Sequence, residues 1–250
     1  MSTWILLRGL MREARHWGDF PQVLAVGIPG AQILTLDLPG NGSHHQERSP
    51  GTIAAMTEHC RQQCHALGIP SPYHLLALSL GGMVASDWAS RYPKEVAGAV
   101  LINTSLRPYS PFYHRLRPQQ YASLIGLLCD PTNYPTRERT ILRLTSNRAA
   151  PDELLQSWIH FARQRPVQLM NVLRQLLAAL RYRAQPPPSS VALLILSGGG
   201  DRLVNPRCSL ALHDHWQAPL RIQPDAGHDL TLDAPDWVVE QVRRWLTSEE

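Results

Sequence analysis

Three residues of the kinds that make up an activated nucleophile occur in the order Ser79, Asp201 and His228. A lone serine hydroxyl is a weak nucleophile, and it becomes reactive when a histidine takes its proton and a carboxylate orients that histidine. Ser, Asp, His is one of the chain orders in which this arrangement occurs. The three residue types therefore predict attack on a carbonyl carbon, with transfer of an acyl group to Ser79.

Ser79 lies between an apolar run and a run of small residues, in the stretch LLALSLGGMVASDWA. A nucleophile on a strained strand-to-helix turn needs small residues two before and two after it, and Ala77 and Gly81 occupy those positions. Such a turn directs the N–H of the next residue, Leu80, at an oxyanion. A serine that caps a helix after a strand is also common, so this stretch alone leaves both interpretations open.

The acid and the base each follow an apolar run in the last third of the chain. Asp201 lies in the Gly-rich segment SGGGDRLVNP, and His228 lies in QPDAGHDL. Taken singly, Asp201 fits a turn and His228 fits a helix cap or a surface position. Three such residues at three successive strand ends favour catalysis.

Other acids lie near His228 but lack the Gly-rich spacing of Asp201, namely Asp225, Asp229 and Asp233. The residue after the fourth apolar run is Asn103, which cannot act as a carboxylate.

The elements that must position these residues are read from continuous apolar runs. Continuous rather than alternating runs are typical of parallel strands covered on both faces. Six runs of strand length are Trp4 to Leu7, Ile33 to Leu36, His74 to Leu78, Ala99 to Ile102, Ala192 to Leu196 and Leu220 to Ile222. Helical patterns alternate with them at Thr52 to Leu67, Gly82 to Tyr92, Pro206 to His215 and Pro235 to Leu246. This alternation predicts a doubly wound α/β sheet.

One interval breaks the alternation and predicts a helical cap. Residues 106–189 contain no strand-like run, and the stretch AQPPPSS at their end resembles a stiff linker. Helices are expected at Gln119 to Leu128, Arg137 to Asn147, Asp152 to Gln164 and Pro166 to Arg183, with breaks at Pro135 and Pro166. We therefore expect a core of residues 1–105 and 190–250 and an all-helical insertion over the carboxyl ends of the strands, where such sheets bind ligands.

Several segments together resemble the α/β-hydrolase family. Besides the turn at Ser79, the segment LDLPGNGSH is similar to the family's DLPGHGxS segment. The segment WILLRGLMREARHW resembles the family's first strand and HG loop. The segments DRLVNP and AGHDLTLDAP resemble its acid and histidine segments. The resemblance covers most of residues 1–105 and 190–250. It implies an α/β-hydrolase core of about six mainly parallel strands with helices on both faces.

The resemblance also implies roles for individual residues. Ser79, Asp201 and His228 would form the catalytic triad, and the backbone N–H groups of Leu10 and Leu80 would form the oxyanion hole. No metal and no organic cofactor is expected. Two positions depart from the family pattern: Ala77 stands where the first glycine of the turn is usual, and Arg8 stands where the histidine of the HG pair is usual. Candidates for the substrate pocket are Arg8, Tyr109, Phe112 and Tyr113.

These features predict a serine hydrolase that cleaves a carboxylic ester or thioester through an acyl-enzyme on Ser79. Two alternatives within the same fold are a lyase of the menaquinone-pathway type and a carrier-protein methyl ester esterase of biotin synthesis. A non-catalytic binding protein on the same fold is a third alternative. The expected partner is a small-molecule ester or thioester, with or without an anionic portion, and we expect a monomer or homodimer.

Composition restricts the other functional classes. No apolar run approaches the about 18 to 20 residues of a membrane span, and the first residues lack the pattern of a signal peptide, so we expect a cytoplasmic protein without a membrane partner. The four cysteines are interpreted as free thiols rather than metal ligands. Residues 106–185 carry twelve Arg and four acidic residues, but they lack a nucleic-acid-binding motif, and no nucleic acid partner is expected.

Overall fold

The sheet consists of six strands, and every neighbouring pair is parallel. The computed structural model describes residues 2–149 and 151–247. The strands are β1 (Thr3–Leu7), β2 (Gln32–Leu36), β3 (Tyr73–Leu78), β4 (Val96–Ile102), β5 (Ala192–Gly198) and β6 (Leu220–Gln223). Their order is β2-β1-β3-β4-β5-β6. The predicted doubly wound sheet is confirmed, and each of the six apolar runs lies within one strand.

Helices connect the strands and form the interval between β4 and β5. They are α1 (Phe20–Gly27), α2 (Ile53–Ala66), α3 (Leu80–Arg91), α4 (Phe112–Arg115), α5 (Tyr121–Cys129), α6 (Tyr134–Thr145), α7 (Asp152–Gln164), α8 (Leu169–Arg181), α9 (Arg207–Trp216), α10 (Leu230–Asp233) and α11 (Pro235–Thr247). In the part of the chain that the structure describes, no helix has both the length and the apolar character to cross a bilayer.

Two apolar layers cover the two faces of the sheet. One layer packs side chains of α2, α3 and α9, among them Met56, Trp88 and Leu212, against the strands. The other layer packs α1 and α11, including Leu24 and Trp245, against the opposite face. Burial on both faces explains why the strands are apolar throughout rather than alternating.

The strand order brings the loop after β1 next to the turn after β3. From β1 the chain moves outward to β2 and then returns to β3 on the other side of β1, so the connections diverge between β1 and β3. The register aligns Leu7 with Ala77 and Leu78 with Ile102, so the carboxyl ends of β1, β3 and β4 lie side by side. Ligands bind at such a point in doubly wound sheets.

The insertion between β4 and β5 is helical, as predicted, but the bounds of α5, α6 and α8 differ by one to three residues from the predicted ones. Helix α7 has the predicted bounds, whereas α6 begins at Tyr134 and carries Pro135 in its first turn, where the missing N–H of proline costs nothing. The sequence therefore indicated a break where the helix starts. Helices α1 and α4 were not predicted, because a helix of one or two turns shows little periodicity.

Candidate active site

Ser79 occupies a strained turn between β3 and α3. Its backbone has φ 56° and ψ −114°, a conformation that residues with a side chain rarely adopt, and its N–H donates to Ile102 O at 2.9 Å. A methyl group on Gly81 would collide with the Leu7 carbonyl oxygen and would lie 2.7 Å from Arg8 O. The turn therefore requires glycine at position 81, whereas the methyl group of Ala77 is accommodated within the sheet.

Asp201 and His228 are joined by a buried hydrogen bond. His228 Nδ1 lies 2.7 Å from Asp201 Oδ2, and only 4 % and 1 % of the two residues are exposed. The second carboxylate oxygen, Oδ1, accepts the N–H groups of Leu203 at 2.7 Å and Val204 at 2.9 Å. Because an ionised carboxylate only accepts hydrogen bonds, His228 Nδ1 carries a proton and Nε2 is left as an acceptor.

Ser79 and His228 line the same small cavity, which also contains Leu10. Within residues 2–149 and 151–247 no hydrogen bond joins the two side chains. In serine hydrolases without substrate this bond is often long and forms in the substrate complex. The arrangement has the elements of a general base, an orienting acid and a nucleophile at one edge of the sheet.

Asn103, which sequence reasoning set aside because it is not an acid, fastens the acid segment to the histidine segment. Its Nδ2 donates to the carbonyl oxygens of Gly227 at 3.1 Å and His228 at 2.8 Å. Its Oδ1 accepts the N–H of Gly198, the last residue of β5, at 2.9 Å. A carboxamide supplies both donors and an acceptor, whereas a carboxylate would place its charge against the two carbonyl oxygens. The sequence signal for this role was the residue type after β4.

The two expected oxyanion donors lie beside Ser79. Leu80 is the first residue of α3, and such an N–H has no acceptor within its own helix. Leu10 and Ser79 line both cavities at the site, and a methyl group on Gly9 would lie 3.2 Å from Ser79 Cβ. The loop after β1 therefore packs directly against the nucleophile.

Arg8 lines the smaller cavity, but its guanidinium is bound within the protein. It contacts Asp229 through two hydrogen bonds, Nη1 to Oδ1 at 3.1 Å and Nη2 to Oδ2 at 2.5 Å, and its plane lies over Trp17 at 4.7 Å. Burial alone would raise the pKa of Asp229, but the charge and hydrogen bonds of Arg8, together with a bond from Thr231, lower it below its ordinary value. The pair ties the loop after β1 to the segment that carries His228.

Two apolar cavities meet at Ser79. The smaller has a volume of about 90 Å³ and the larger about 320 Å³, and Leu10, Ser79 and Leu203 line both. The smaller cavity is closed by aliphatic side chains of α5 and α6, namely Leu124, Leu127, Ile141 and Leu144. The larger is closed by Leu116, Tyr121, Leu176, Ala179 and Leu180 among others. The sequence did not single out these aliphatic residues, because periodicity alone does not show which apolar side chains face a cavity.

The aromatic candidates for the pocket are divided between these cavities and other contacts. Phe112 lines the larger cavity. Tyr109 packs against His215 and Trp216. Tyr113 packs against Phe112 and His114. Neither tyrosine lines a cavity at Ser79.

Buried polar side chains anchor the insertion to the sheet domain. Gln175 of α8 donates through Nε2 to Asn41 Oδ1 and Ser49 Oγ, both at 2.9 Å. Arg12, in the loop after β1, binds Glu138 of α6 at 2.5 Å, and both side chains are buried. These contacts surround the loop that carries Leu10, so the insertion and the site form one packed unit.

Potential metal ligands lie away from Ser79. Within the described ranges, one trio of His and carboxylate groups is close enough to share an ion, namely His44, Glu47 and His59, and none of the three lines a cavity at Ser79. Cys60 and Cys64 are buried, and burial raises the pKa of both thiols, that of Cys64 to about 11. Burial therefore favours the protonated thiol at both positions.

Comparison with known proteins identifies the family to which this fold belongs. Residues 4–241 match the model of the alpha/beta hydrolase family. The chain belongs to the alpha/beta hydrolase family. Among solved structures, the TM-score is 0.78 against a putative non-heme bromoperoxidase from Mycobacterium tuberculosis, at 20% identity, with 100% of this chain and 93% of that chain covered. A thermophilic esterase from Thermogutta terrifontis gives 0.76 at 20% identity, with 99% and 90% covered. At such identity these structures show the fold alone.

Curated relatives of this alpha/beta hydrolase match it over less than half of their own length. A pimeloyl-[acyl-carrier protein] methyl ester esterase from Aromatoleum aromaticum is 37% identical over 93 residues, which are 36% of this chain and 34% of that protein. A biotin biosynthesis bifunctional protein from Teredinibacter turnerae is 24% identical over 98% of this chain and 44% of its own length. The chain spans less than half the length of these relatives.

Proposed function

We propose that this alpha/beta hydrolase cleaves a carboxylic ester or thioester through an acyl-enzyme on Ser79. The observation that carries the proposal is the buried bond between Asp201 and His228, placed beside a serine on a strained turn that opens into apolar cavities. Esterase activity in the names of a curated relative and a structural neighbour is consistent with this chemistry.

The reaction follows from the protonation state of His228. Nε2 takes the proton of Ser79 Oγ while that oxygen bonds to the carbonyl carbon, and the carbonyl electron pair moves onto the oxyanion. The N–H groups of Leu80 and Leu10 stabilise that charge, and the dipole of α3 adds to them. Collapse breaks the bond to the alcohol or thiol, which takes the proton from His228. Water, activated by the same Nε2, then releases the acid and restores Ser79.

The two cavities support a division of the substrate at the scissile bond. We assign the longer apolar portion to the larger cavity of about 320 Å³ and the smaller portion to the cavity of about 90 Å³. Both linings are mainly aliphatic, which suits an apolar acyl chain rather than a sugar or a nucleotide. The insertion then acts as a cap, because it excludes water from the reacting carbonyl.

The test is covalent labelling of the serine. We expect intact mass after incubation with a fluorophosphonate to rise by one adduct in the wild type, to remain unchanged in Ser79→Ala, and to rise in Ser105→Ala, whose serine lines the same larger cavity. Turnover of p-nitrophenyl esters should disappear in Ser79→Ala alone.

The alternatives predict different results. A lyase would turn over its own substrate without an acylated intermediate, so rapid quenching with a p-nitrophenyl ester followed by mass measurement separates it from a hydrolase. No label and no turnover in the wild type would support a binding protein and contradict the proposal.

A further inference from the structure

Helix α8 is oriented with its apolar stripe toward solvent. Its side chains at Met170, Leu173, Leu177 and Leu180 are between 37% and 58% exposed. The spacing of these four residues places them along one side of the helix. A stripe of this kind normally faces the core of a protein. Here the opposite side is buried, and it contains Asn171, Val172, Gln175 and Ala178.

Hydrogen bonds hold the helix in this orientation. Besides the bonds of Gln175 to Asn41 and Ser49, Asn171 Oδ1 accepts the Ser49 N–H at 3.0 Å and its Nδ2 donates to Glu47 O at 2.8 Å. Rotation of α8 to bury the leucines would leave these polar groups without partners, at a cost that the apolar contacts would have to exceed. The exposure of the stripe is therefore built into the fold.

The stripe reaches the larger cavity at its Leu180 end, next to other exposed apolar side chains of the insertion. Among the described residues, eleven large hydrophobic side chains are exposed, and seven of them belong to the insertion. Six of them define the apolar face, since Phe112 and Leu180 share a cavity and Tyr113 packs on Phe112: Phe112, Tyr113, Met170, Leu173, Leu177 and Leu180. Leu180 and Phe112 also line the larger cavity, which reaches Ser79. The apolar face is thus continuous with the path that the proposed substrate would take.

The charge around the face restricts what can cover it. Residues 106–185 carry twelve Arg and four acidic residues. Arg181 and Arg183 are exposed at and just after the end of α8, and the exposed Arg107 pairs with Arg183 in a β-bridge. A second copy of the chain would bring two such positive surfaces together, which is unfavourable. An anionic surface is attracted by the same arginines, and an apolar interior behind that surface would accept the leucines.

We propose that the apolar face docks on the surface of an anionic lipid bilayer or micelle, so that an ester passes from the lipid into the larger cavity. The delivery step depends on the proposed hydrolase function, whereas docking itself does not. The sequence predicted no membrane partner because it contains no membrane span. A helix that lies in the plane of the interface needs no span, since it buries only one side.

The test measures lipid binding without turnover. All proteins carry Ser79→Ala, and we measure their co-flotation with vesicles of phosphatidylcholine that contain about 30% phosphatidylglycerol. We expect Met170→Gln/Leu173→Gln to weaken binding about tenfold or more, because two apolar side chains no longer enter the interface. The matched control is Val26→Gln/Leu67→Gln, which changes two exposed apolar residues of the sheet domain and should bind as the parent does. Vesicles of phosphatidylcholine alone should bind less.

Other results would overturn the docking proposal. These are no vesicle binding by the parent, equal binding by the stripe variant, or a dimer in lipid-free solution that the stripe variant abolishes. Binding to a purified acidic carrier protein, lost in the stripe variant while vesicles are ignored, would assign the face to a protein partner instead. Vesicle binding by the Ser79→Ala parent, together with no fluorophosphonate label on the wild type, would retain the docking and refute the proposed hydrolase function.

Discussion

Asp201 contacts His228 through one carboxylate oxygen and two backbone N–H groups through the other. Those two N–H donors determine which oxygen remains for the histidine. An amide at this position would keep its oxygen on the N–H groups of Leu203 and Val204 and turn its NH₂ group toward His228 Nδ1. The imidazole would then accept at Nδ1 and carry its proton on Nε2, which could no longer take the proton of Ser79.

We therefore expect Asp201→Asn to lower kcat for p-nitrophenyl esters by about 10⁴-fold with a small change in KM. Steady-state kinetics at neutral pH measure the effect. Asp214→Asn, an exposed acid on α9, is the control and should retain wild-type kcat. An Asp201→Asn enzyme with wild-type kcat would exclude this residue as the acid of the triad.

The buried pair of Arg8 and Asp229 predicts how substitutions change the stability of the protein. Arg8→Met alone leaves a carboxylate buried without its partner, and we expect the free energy of unfolding to fall by about 3 to 5 kcal/mol. Arg8→Met/Asp229→Asn removes both charges and should recover part of that loss. Chemical denaturation measures all three proteins.

The sign of the pH effect follows from the lowered pKa of Asp229. Its stabilising contribution is present above the ordinary Asp pKa of 3.8 and is lost as the pH falls through the lower pKa of the folded protein. Between about pH 6 and pH 2, the wild type should lose more unfolding free energy than the double variant. Equal losses in the two proteins would show that this pair does not contribute to acid unfolding.

At the scale of elements, α8 illustrates how polar residues decide the orientation of a helix. Gln175 is fully buried, and three of its contacts reach the loop between β2 and α2. Its Oε1 also accepts the N–H of Met11, next to the expected oxyanion donor Leu10, at 3.4 Å. One side chain thus connects the insertion, the loop before α2 and the loop after β1.

Gln175→Ala should lower the free energy of unfolding by about 1 to 3 kcal/mol, because Asn41 and Ser49 lose a buried partner. We also expect a lower kcat, since the loop that carries Leu10 loses a contact. Urea denaturation and ester turnover measure the two effects. Gln156→Ala on the exposed side of α7 is the matched control, and an equal change in both variants would contradict the anchoring role.

At the scale of the whole molecule, the larger cavity at Ser79 lies between the sheet domain and the insertion, and it is the proposed substrate space. The sheet domain contributes Ser79, Leu10 and Leu203 among others, and the insertion contributes Leu176 and Leu180 among others. Acyl-chain preference should therefore depend on residues of the insertion that never contact the reacting carbonyl.

Leu176→Trp places a larger side chain in the cavity of about 320 Å³. We expect kcat/KM for medium-chain p-nitrophenyl esters to fall about tenfold, because the chain loses space, while the acetate ester changes little. The ratio of the two values measures the effect and is independent of the amount of active enzyme. An unchanged ratio would place the acyl chain outside this cavity.

The sequence by itself determined the class of the sheet and the residues whose side chains could take part in a reaction. Continuous apolar runs predict strands buried on both faces whatever the partners are, so the six runs predicted the sheet. The turn at Ser79 was also visible, because the small residues Ala77 and Gly81 flank a serine that follows an apolar run. These features depend on short segments and on general rules of local conformation.

Only the tertiary structure decided which side chains meet. Arg8 and Asp229 are 221 residues apart in the chain, and their pairing follows from the strand order rather than from any local pattern. Asn103 was set aside because it cannot act as a carboxylate. Its position between two strand ends lets its side chain bind both Gly198 at the end of β5 and Gly227 in the segment before His228. A helix over Pro166 to Arg183 was predicted, but the exposure of its apolar stripe depends on the distant partners of Gln175 and Asn171. Contacts of this kind depend on three-dimensional packing, which is the physical reason that no local pattern reveals them.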